Sequence, residues 1–186
     1  MKNTCIKNNC KKHTPKSLHD NIIVPFENDN DEVKRLFSYF LYRAPNIESK
    51  HSKIIDNSFH SFIMEEMMKD RDFKYTKFCS SNARIEEELR KGFMDENSIC
   101  LKCKRFVCKR KLSRKNTPEE TDFECFLRHI RNAIAHGRVY YFHASNRIHI
   151  VFEDENSSRK ISARIICIKA DLQHWKSVLS DERYYR

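Results

Sequence analysis

Three polar side chains with complementary chemistry lie within six residues of one another, namely Arg131, Asn132 and His136. An arginine guanidinium is always charged and offers a planar fork of donors to phosphate oxygens. A histidine titrates near neutral pH and can take up or release a proton during a reaction. Asn132 precedes His136 by four residues, so on a helix the two are neighbours, and the amide could orient the imidazole or a phosphate. This pattern predicts chemistry on a phosphate ester.

The three residues belong to the clearest predicted helix. Thr117, Pro118 and Glu120 predict a capping box with proline at the first helical position, and Gly137 predicts the end. The apolar residues at helical spacing are Phe123, Phe126, Leu127, Ile130 and Ile134.

The other side of this helical wheel collects residues that bind phosphate or move protons instead of the usual mixture of Lys and Glu. Arg131 lies at the border of the apolar side, roughly 140° from His136. One ideal helix therefore cannot easily bring these two to one phosphate, whereas two helices side by side in a dimer could. The residues on this polar side are Cys125, Arg128, His129, Asn132 and His136.

The run from Phe126 to Gly137 resembles the signature helix of HEPN proteins, whose motif is an Arg, a polar residue, three further residues and a His. Arg131, Asn132 and His136 match this motif in type and spacing. The resemblance implies a metal-independent RNA endonuclease that is active as a homodimer, with these three residues as the catalytic set and no cofactor. It implies origin in a toxin–antitoxin, abortive-infection or CRISPR-linked system, with an antitoxin or defence protein as partner.

RNA carries its own nucleophile, the 2′-hydroxyl, so the expected cleavage leaves a 2′,3′-cyclic phosphate and a 5′-hydroxyl. The alternative is a non-catalytic RNA-binding or nucleotide-binding dimeric regulator that uses the basic segment, with this helix as its dimer interface. In that case the Arg and the His have a structural role, because both residue types at a helix end stabilise helix carbonyls and the helix dipole.

The positive charge of the chain is concentrated in one segment. The formal net charge is +10, and residues 102–115 hold eight basic residues and no acidic one, which leaves 10 − 8 = +2 for the rest. Such a segment attracts polyanions independently of their sequence. We interpret residues 98–116 as a basic connector; a solvated linker or a surface for an anionic protein is the alternative. The predicted RNA contacts are Lys109, Arg110, Lys111 and Arg128.

Two glycines and four prolines in 186 residues favour long helices. Helical periodicity covers residues 31–42, 48–69 and 82–91. After the signature helix, period-two patterns predict strands over 138–142, 147–152 and 160–168, with polar turns at 143–146 and 154–158. A last helix is expected over about 171–182.

The predicted fold is mostly α: a HEPN-like helical bundle to about residue 137, a small antiparallel β-meander and a C-terminal helix. A flexible basic tail, residues 1–20, precedes this single domain, residues 21–186.

The eight cysteines suit reduced thiols in the cytoplasm, because no apolar run is long enough for a membrane span and no secretory signal is evident. Cys100, Cys103 and Cys108 suggest zinc, with Cys79 or Cys125 as a fourth ligand. A second regularly spaced Cys or His pair is missing, so we predict no metal site.

Overall fold

The computed structural model describes residues 11–44, 57–111, 120–144 and 146–184. A π-helical turn, Tyr39–Arg43, directly follows Ser38, and a 3-10 turn, Glu182–Tyr184, lies near the end of the described residues. The α-helices are α1 Pro15–His19, α2 Asp31–Ser38, α3 Asn57–Met68, α4 Asn82–Lys91, α5 Asp122–Ala135 and α6 Lys169–Leu179. The strands are β1 Lys12–His13, β2 Ile22–Ile23, β3 Tyr75–Cys79, β4 Ile99–Cys100, β5 Arg105–Lys109, β6 Val139–Ala144, β7 Arg147–Glu155 and β8 Ile161–Ile168.

A six-stranded mixed sheet lies at the centre of the described structure, with the strand order β2-β6-β7-β8-β5-β3. Its neighbouring strands are antiparallel except for the parallel pair β3 and β5. The prediction of a mostly α helical bundle with a small meander is therefore wrong. The meander itself is present as β6, β7 and β8, but β2, β3 and β5 double its width. Basic side chains at Lys77, Arg105 and Lys109 obscure the apolar pattern of β3 and β5, the two strands that extend the sheet beyond β8.

Helices cover both faces of the sheet. One core includes buried side chains of α2, α3, α5 and α6, and the other includes those of α1 and α4. Successive residues of β7 alternate between the two cores: Ile150 and Phe152 pack into the first, and Val151 into the second. Trp175 of α6 anchors the first core, since its indole Nε1 donates to the Met67 carbonyl at 2.9 Å. The sheet thus gives α5 a fixed platform.

A buried ion pair lies on the face of the sheet that α1 and α4 cover. Arg164 Nε donates to Glu153 Oε2 at 2.7 Å, and both side chains are almost completely buried. Arg164 Nη1 also donates to the carbonyls of Met94 and Asp95, at 2.8 and 2.6 Å. The guanidinium therefore joins β8, β7 and the loop after α4.

The predicted flexible tail, residues 1–20, is wrong for its described part. Residues 12–13 form β1, which pairs with β4, and residues 15–19 form α1. Leu18 is fully buried in the second core. A single apolar residue produces no periodic pattern, which is why the sequence did not predict this segment.

The predicted basic connector, residues 98–116, is wrong where the structure describes it. It contains β4 and β5, and β5 lies inside the central sheet between β8 and β3. Arg105 is buried and its guanidinium donates to the Gly92 carbonyl, while Lys104 Nζ binds Asp171 Oδ1 at 2.9 Å. Part of the local positive charge is therefore neutralised within the fold.

Two of the predicted helices agree closely with the structure. Asn30 caps α2 by accepting from the Val33 N–H at 3.2 Å, and Gly92 follows the last residue of α4. The predicted helix 48–69 is described as α3 from Asn57 onward, and its earlier part lies outside the described residues. None of the described helices combines the length and apolar character needed to cross a lipid bilayer.

Candidate active site

The helix α5 starts with a capping box formed by Thr121 and Glu124. Thr121 Oγ1 accepts from the Glu124 N–H at 3.2 Å, and Glu124 Oε2 accepts from the Thr121 N–H at 2.8 Å. The predicted box of Thr117 with Glu120 is wrong, because the helix begins at Asp122; Thr117 lies outside the described residues. Glu120 precedes the helix and has another role.

The polar side of α5 is largely covered. Cys125 and His129, which the helical wheel placed opposite the apolar side, are buried. Their burial has a simple cause: α5 packs against the sheet, and β5 and β7 supply polar partners to this side of the helix. The helical wheel alone could not show this.

Arg128 is held by internal acceptors. Its Nε and Nη2 bind the two carboxylate oxygens of Glu120 at 2.5 and 2.8 Å, and Nη2 also donates to the Lys109 carbonyl at 2.9 Å. Although burial alone would raise the pKa of Glu120, its bonds with Arg128 hold that pKa below the ordinary value. The side chain of Arg128, predicted to contact RNA, fixes α5 to β5 instead.

His129 forms a buried ion pair with Asp154. Its Nδ1 lies 2.7 Å from Asp154 Oδ2 and its Nε2 lies 2.8 Å from the Lys109 carbonyl. Burial alone would lower the pKa of His129, but its hydrogen bonds with Asp154 and Cys125 raise it. Burial opposes ionisation of Cys125 as well, yet hydrogen bonds with Cys108 and His129 lower its pKa to about 7. A compact network of ionisable groups therefore underlies the signature helix.

Asn132 extends this network towards the surface. Its Nδ2 donates to the same Asp154 Oδ2 at 3.0 Å, and the side chain is half-buried. Asp154 belongs to β7, so one carboxylate oxygen joins the strand to two successive turns of α5.

Arg131 binds backbone carbonyls at the end of the π-helical turn. Its Nε donates to the Phe40 carbonyl at 3.2 Å and its Nη2 to the Ala44 carbonyl. The side chain is half-buried, as its position at the border of the apolar side predicted. In this arrangement the guanidinium stabilises the segment that follows α2.

His136 is the exposed member of the motif. It is the C-terminal cap of α5, and its N–H donates to the Asn132 carbonyl at 2.9 Å, so the helical turn between the two residues is intact. Gly137 follows with φ of 66°, a left-handed conformation that favours glycine and ends the helix. Among the described residues, the imidazole has no hydrogen-bond or ionic partner, and it is therefore available to a ligand.

The family comparison agrees with this motif. A family model described as HEPN pEK499 p136 matches residues 3–180. The chain belongs to the HEPN family. The match extends from the N-terminal segment through the strands to α6, and membership is consistent with a nuclease-related or RNA-related function. None of the curated proteins or solved structures compared with the chain matches it.

The basic residues of this HEPN chain that we predicted to contact RNA follow two different patterns. Lys109 is the last residue of β5, and its backbone carbonyl lies within hydrogen-bond distance of Arg128 Nη2 and His129 Nε2 of α5. Arg110 Nε binds Asp122 Oδ1 at 2.9 Å, at the start of α5. The backbone N–H of Lys111 donates to Glu120 at 2.7 Å, and its side chain is exposed. The three residues thus lie beside the N-terminal half of the signature helix.

The cysteines considered for zinc are distributed over separate elements. Cys100 ends β4, Cys103 lies in the loop before β5, and Cys108 is buried within β5. In the described ranges, no three His, Cys, Asp or Glu side chains form a group suited to a metal ion.

Sequence reasoning missed Asp154 and Glu120. We assigned Asp154 to a polar turn after a predicted strand that ended at residue 152, whereas β7 continues to Glu155. An available signal was the acidic run at 153–155, which directly follows a strongly apolar stretch.

Proposed function

We propose that this HEPN protein is a metal-independent endoribonuclease whose site contains Arg131, Asn132 and His136. The observation that carries the proposal is the exposed imidazole of His136, which has no partner within the described ranges and lies one helical turn from Asn132 at the end of the family's signature helix. A structural histidine usually binds a carbonyl or a carboxylate, as His129 does in the same helix. His136 is presented to solvent instead.

The chemistry follows from the residue types. Cleavage starts when the 2′-hydroxyl loses its proton and its oxygen attacks the adjacent phosphorus. The bond from phosphorus to the 5′ oxygen then breaks, and that oxygen takes up a proton. His136 takes the proton from the 2′-hydroxyl and gives a proton to the 5′ oxygen, and a guanidinium stabilises the charge on the phosphate. The products are a 2′,3′-cyclic phosphate and a 5′-hydroxyl.

In a homodimer, the guanidinium of one subunit would lie beside the His136 site of the other, because within a single subunit Arg131 is directed elsewhere. Arg131 is turned towards the carbonyls of Phe40 and Ala44, while His136 lies at the exposed helix end. Two signature helices side by side would bring Arg131 of one subunit towards His136 of the other.

The proposal includes RNA contacts by Lys109, Arg110 and Lys111, a cytoplasmic location, and an antitoxin or other defence-system partner. Arg128 is not included, because its side chain is bound to Glu120 and only 13% exposed, whereas the side chain of Arg110 beside Asp122 is 32% exposed.

The decisive experiment compares cleavage of labelled RNA by the wild-type protein and by His136→Ala in EDTA. We expect wild-type cleavage with a 2′,3′-cyclic phosphate end and no cleavage by the variant, with an unchanged melting temperature because the side chain is exposed. His143→Ala removes another exposed histidine, in β6, and should cleave like wild type. Cleavage that needs magnesium, or that survives in His136→Ala, contradicts the proposal.

The shared site has its own test. Co-refolded mixtures of Arg131→Ala and His136→Ala subunits contain heterodimers with one complete site if the residues act across the interface. We expect partial recovery of activity in the mixture. A mixture no more active than either variant alone would refute the cross-subunit arrangement but leave the nuclease in place.

One observation favours a second candidate, a non-catalytic RNA-binding or nucleotide-binding regulator. The guanidinium of Arg131 already stabilises the π-helical turn, which is a structural role. Retention of RNA by the wild-type protein without any cleavage under the conditions above would support this candidate.

A further inference from the structure

The carboxylate of Asp154 joins α5 to β7 through a single oxygen. Oδ2 lies 2.7 Å from His129 Nδ1 and 3.0 Å from Asn132 Nδ2, and the side chain is 4% exposed. A buried carboxylate with two partners on one helix restricts both of them.

The protonation state of this pair follows from its partners. The nearest partner of each His129 nitrogen is an acceptor, the carboxylate of Asp154 at 2.7 Å and the carbonyl of Lys109 at 2.8 Å, while Arg128 Nη1 lies farther from Nδ1, at 3.5 Å. Burial alone would lower the pKa of His129, but its hydrogen bonds with Asp154 and Cys125 raise it, which favours the protonated imidazole. Although burial raises the pKa of Asp154, its hydrogen bond with His129 lowers it overall, so the carboxyl is ionised.

An ionised Asp154 decides the orientation of the Asn132 amide. A carboxylate can only accept, so the NH₂ group of Asn132 faces Asp154 and the carbonyl oxygen Oδ1 takes the other position. No described residue donates a hydrogen bond to Oδ1. The exposed His136 lies four residues further along the chain, one helical turn from Asn132, so rotation of its side chain can bring the ring towards that acceptor.

We propose that Asp154 is a positioning residue for the proposed ribonuclease site: it holds Asn132 so that Oδ1 can accept an N–H of the His136 ring when that ring turns towards it. This inference rests on the proposed function. The accepted N–H fixes one neutral tautomer of His136, and the other ring nitrogen keeps the lone pair that takes the proton of the 2′-hydroxyl. A phosphate oxygen cannot bind Oδ1, because both atoms are acceptors.

The first test is Asp154→Asn, which keeps the size of the side chain and removes its charge. An amide can present either end, so Asn132 is no longer held in one orientation. We expect kcat to fall about tenfold or more with little change in KM for RNA, as for other residues that orient a catalytic histidine. Glu155→Gln, the same change at the next residue of β7, is the matched control and should retain kcat. Unchanged kcat in Asp154→Asn overturns the proposal.

The second test exchanges the two side chains. Asn132→Asp alone places two carboxylates where a bond of 3.0 Å now exists, and should lower both kcat and stability. Combining it with Asp154→Asn lets the amide at position 154 donate to the carboxylate at position 132, whose other oxygen again accepts. We expect the double variant to recover much of the lost kcat. A double variant with a kcat no higher than that of Asn132→Asp alone overturns the positioning role of Asp154.

A third measurement separates this inference from the proposed function. Long-range ¹H–¹⁵N NMR reports the tautomer of each histidine without requiring activity. We expect one neutral tautomer of His136 in the wild type and a mixture in Asp154→Asn, or in Asn132→Ala if Asp154→Asn does not fold. The same distribution in wild type and variant overturns the inference. A wild type that orders the His136 tautomer but cleaves no RNA contradicts the proposed function alone.

Discussion

Replacing Arg131 with Met keeps most of the aliphatic stem of the side chain and removes the guanidinium that binds the carbonyls of Phe40 and Ala44. Phe40 lies within the π-helical turn and Ala44 directly follows it, so Arg131 ties the side of this turn to its end. The variant therefore tests whether a predicted catalytic arginine also supports the fold.

The magnitude can be worked out from the two bonds. A hydrogen bond with a charged group contributes about 1.5–3 kcal/mol, and the half-buried site allows water to replace part of it, so we expect a loss of about 2–4 kcal/mol. For 186 residues with an unfolding entropy of about 2.1 cal/mol/K each, this loss lowers the melting temperature by roughly 5–10 °C. Arg131→Lys should lie between wild type and Arg131→Met, because one ammonium group replaces a two-pronged donor.

The assay is urea and thermal unfolding of the purified protein, followed by circular dichroism. Arg84→Met, which changes an exposed arginine of α4, is the matched control and should stay within about 0.5 kcal/mol of wild type. A melting temperature of Arg131→Met within about 2 °C of wild type would refute the structural role. If the role holds, cleavage by Arg131 variants must be measured below their lowered melting temperature, whereas His136→Ala needs no such correction.

Three further predictions concern RNA affinity, pH and the buried charges. Changing the three basic residues at and after the end of β5 to Ser should weaken the salt dependence of binding to single-stranded RNA. The slope of log affinity against log salt should flatten by about 2 if all three contact phosphate. A salt titration in a His136→Ala background checks this, and an unchanged slope would assign RNA binding to another surface. The residues changed are Lys109, Arg110 and Lys111. The pKa of His129 is raised above its unfolded value, so its stabilisation is complete below about pH 6.5 and is lost as the pH rises through the raised value. His129→Phe should remove this decline of the urea midpoint with rising pH. Both proteins carry Cys125→Ala, because the pKa of that thiol, about 7, would add its own pH dependence. Equal slopes of midpoint against pH with and without His129 would contradict the assignment. Arg164→Met should cost about 3–5 kcal/mol in urea unfolding, and adding Glu153→Leu should recover part of the loss, whereas additive losses would argue against a coupled pair.

The sequence predicted the elements that have a strong period of their own. The apolar stripe of α5 and the alternation in β7 and β8 each bury one continuous set of side chains, so local pattern and tertiary position agree. The strand β5 was missed because distant groups bind the basic side chains at its start: Asp171 binds Lys104, which precedes the strand, and the Gly92 carbonyl accepts a hydrogen bond from Arg105. No local pattern contains that information.

The candidate site could be predicted in the same partial way. The motif residues and the exposed helix end could be predicted, because they depend on spacing within one helix. The roles of Arg128 and His129 could not be predicted, because their partners Glu120, Lys109 and Asp154 lie 8 to 25 residues away in the chain. A wheel drawn for one helix treats the side opposite the apolar stripe as open, and here two strands cover it.

The position of β7 and β8 after α5 in the chain has a consequence for synthesis. During translation the signature helix leaves the ribosome before the strand that carries Asp154, and before β8, which separates β7 from β5 in the sheet. At about 5–20 residues per second, several seconds pass between the completion of Ala135 and that of Ile168. During that interval the nascent helix lacks its carboxylate partner and its platform. A chain interrupted there would therefore carry the whole motif without an assembled site, which delays any activity until the last quarter of the polypeptide has been made.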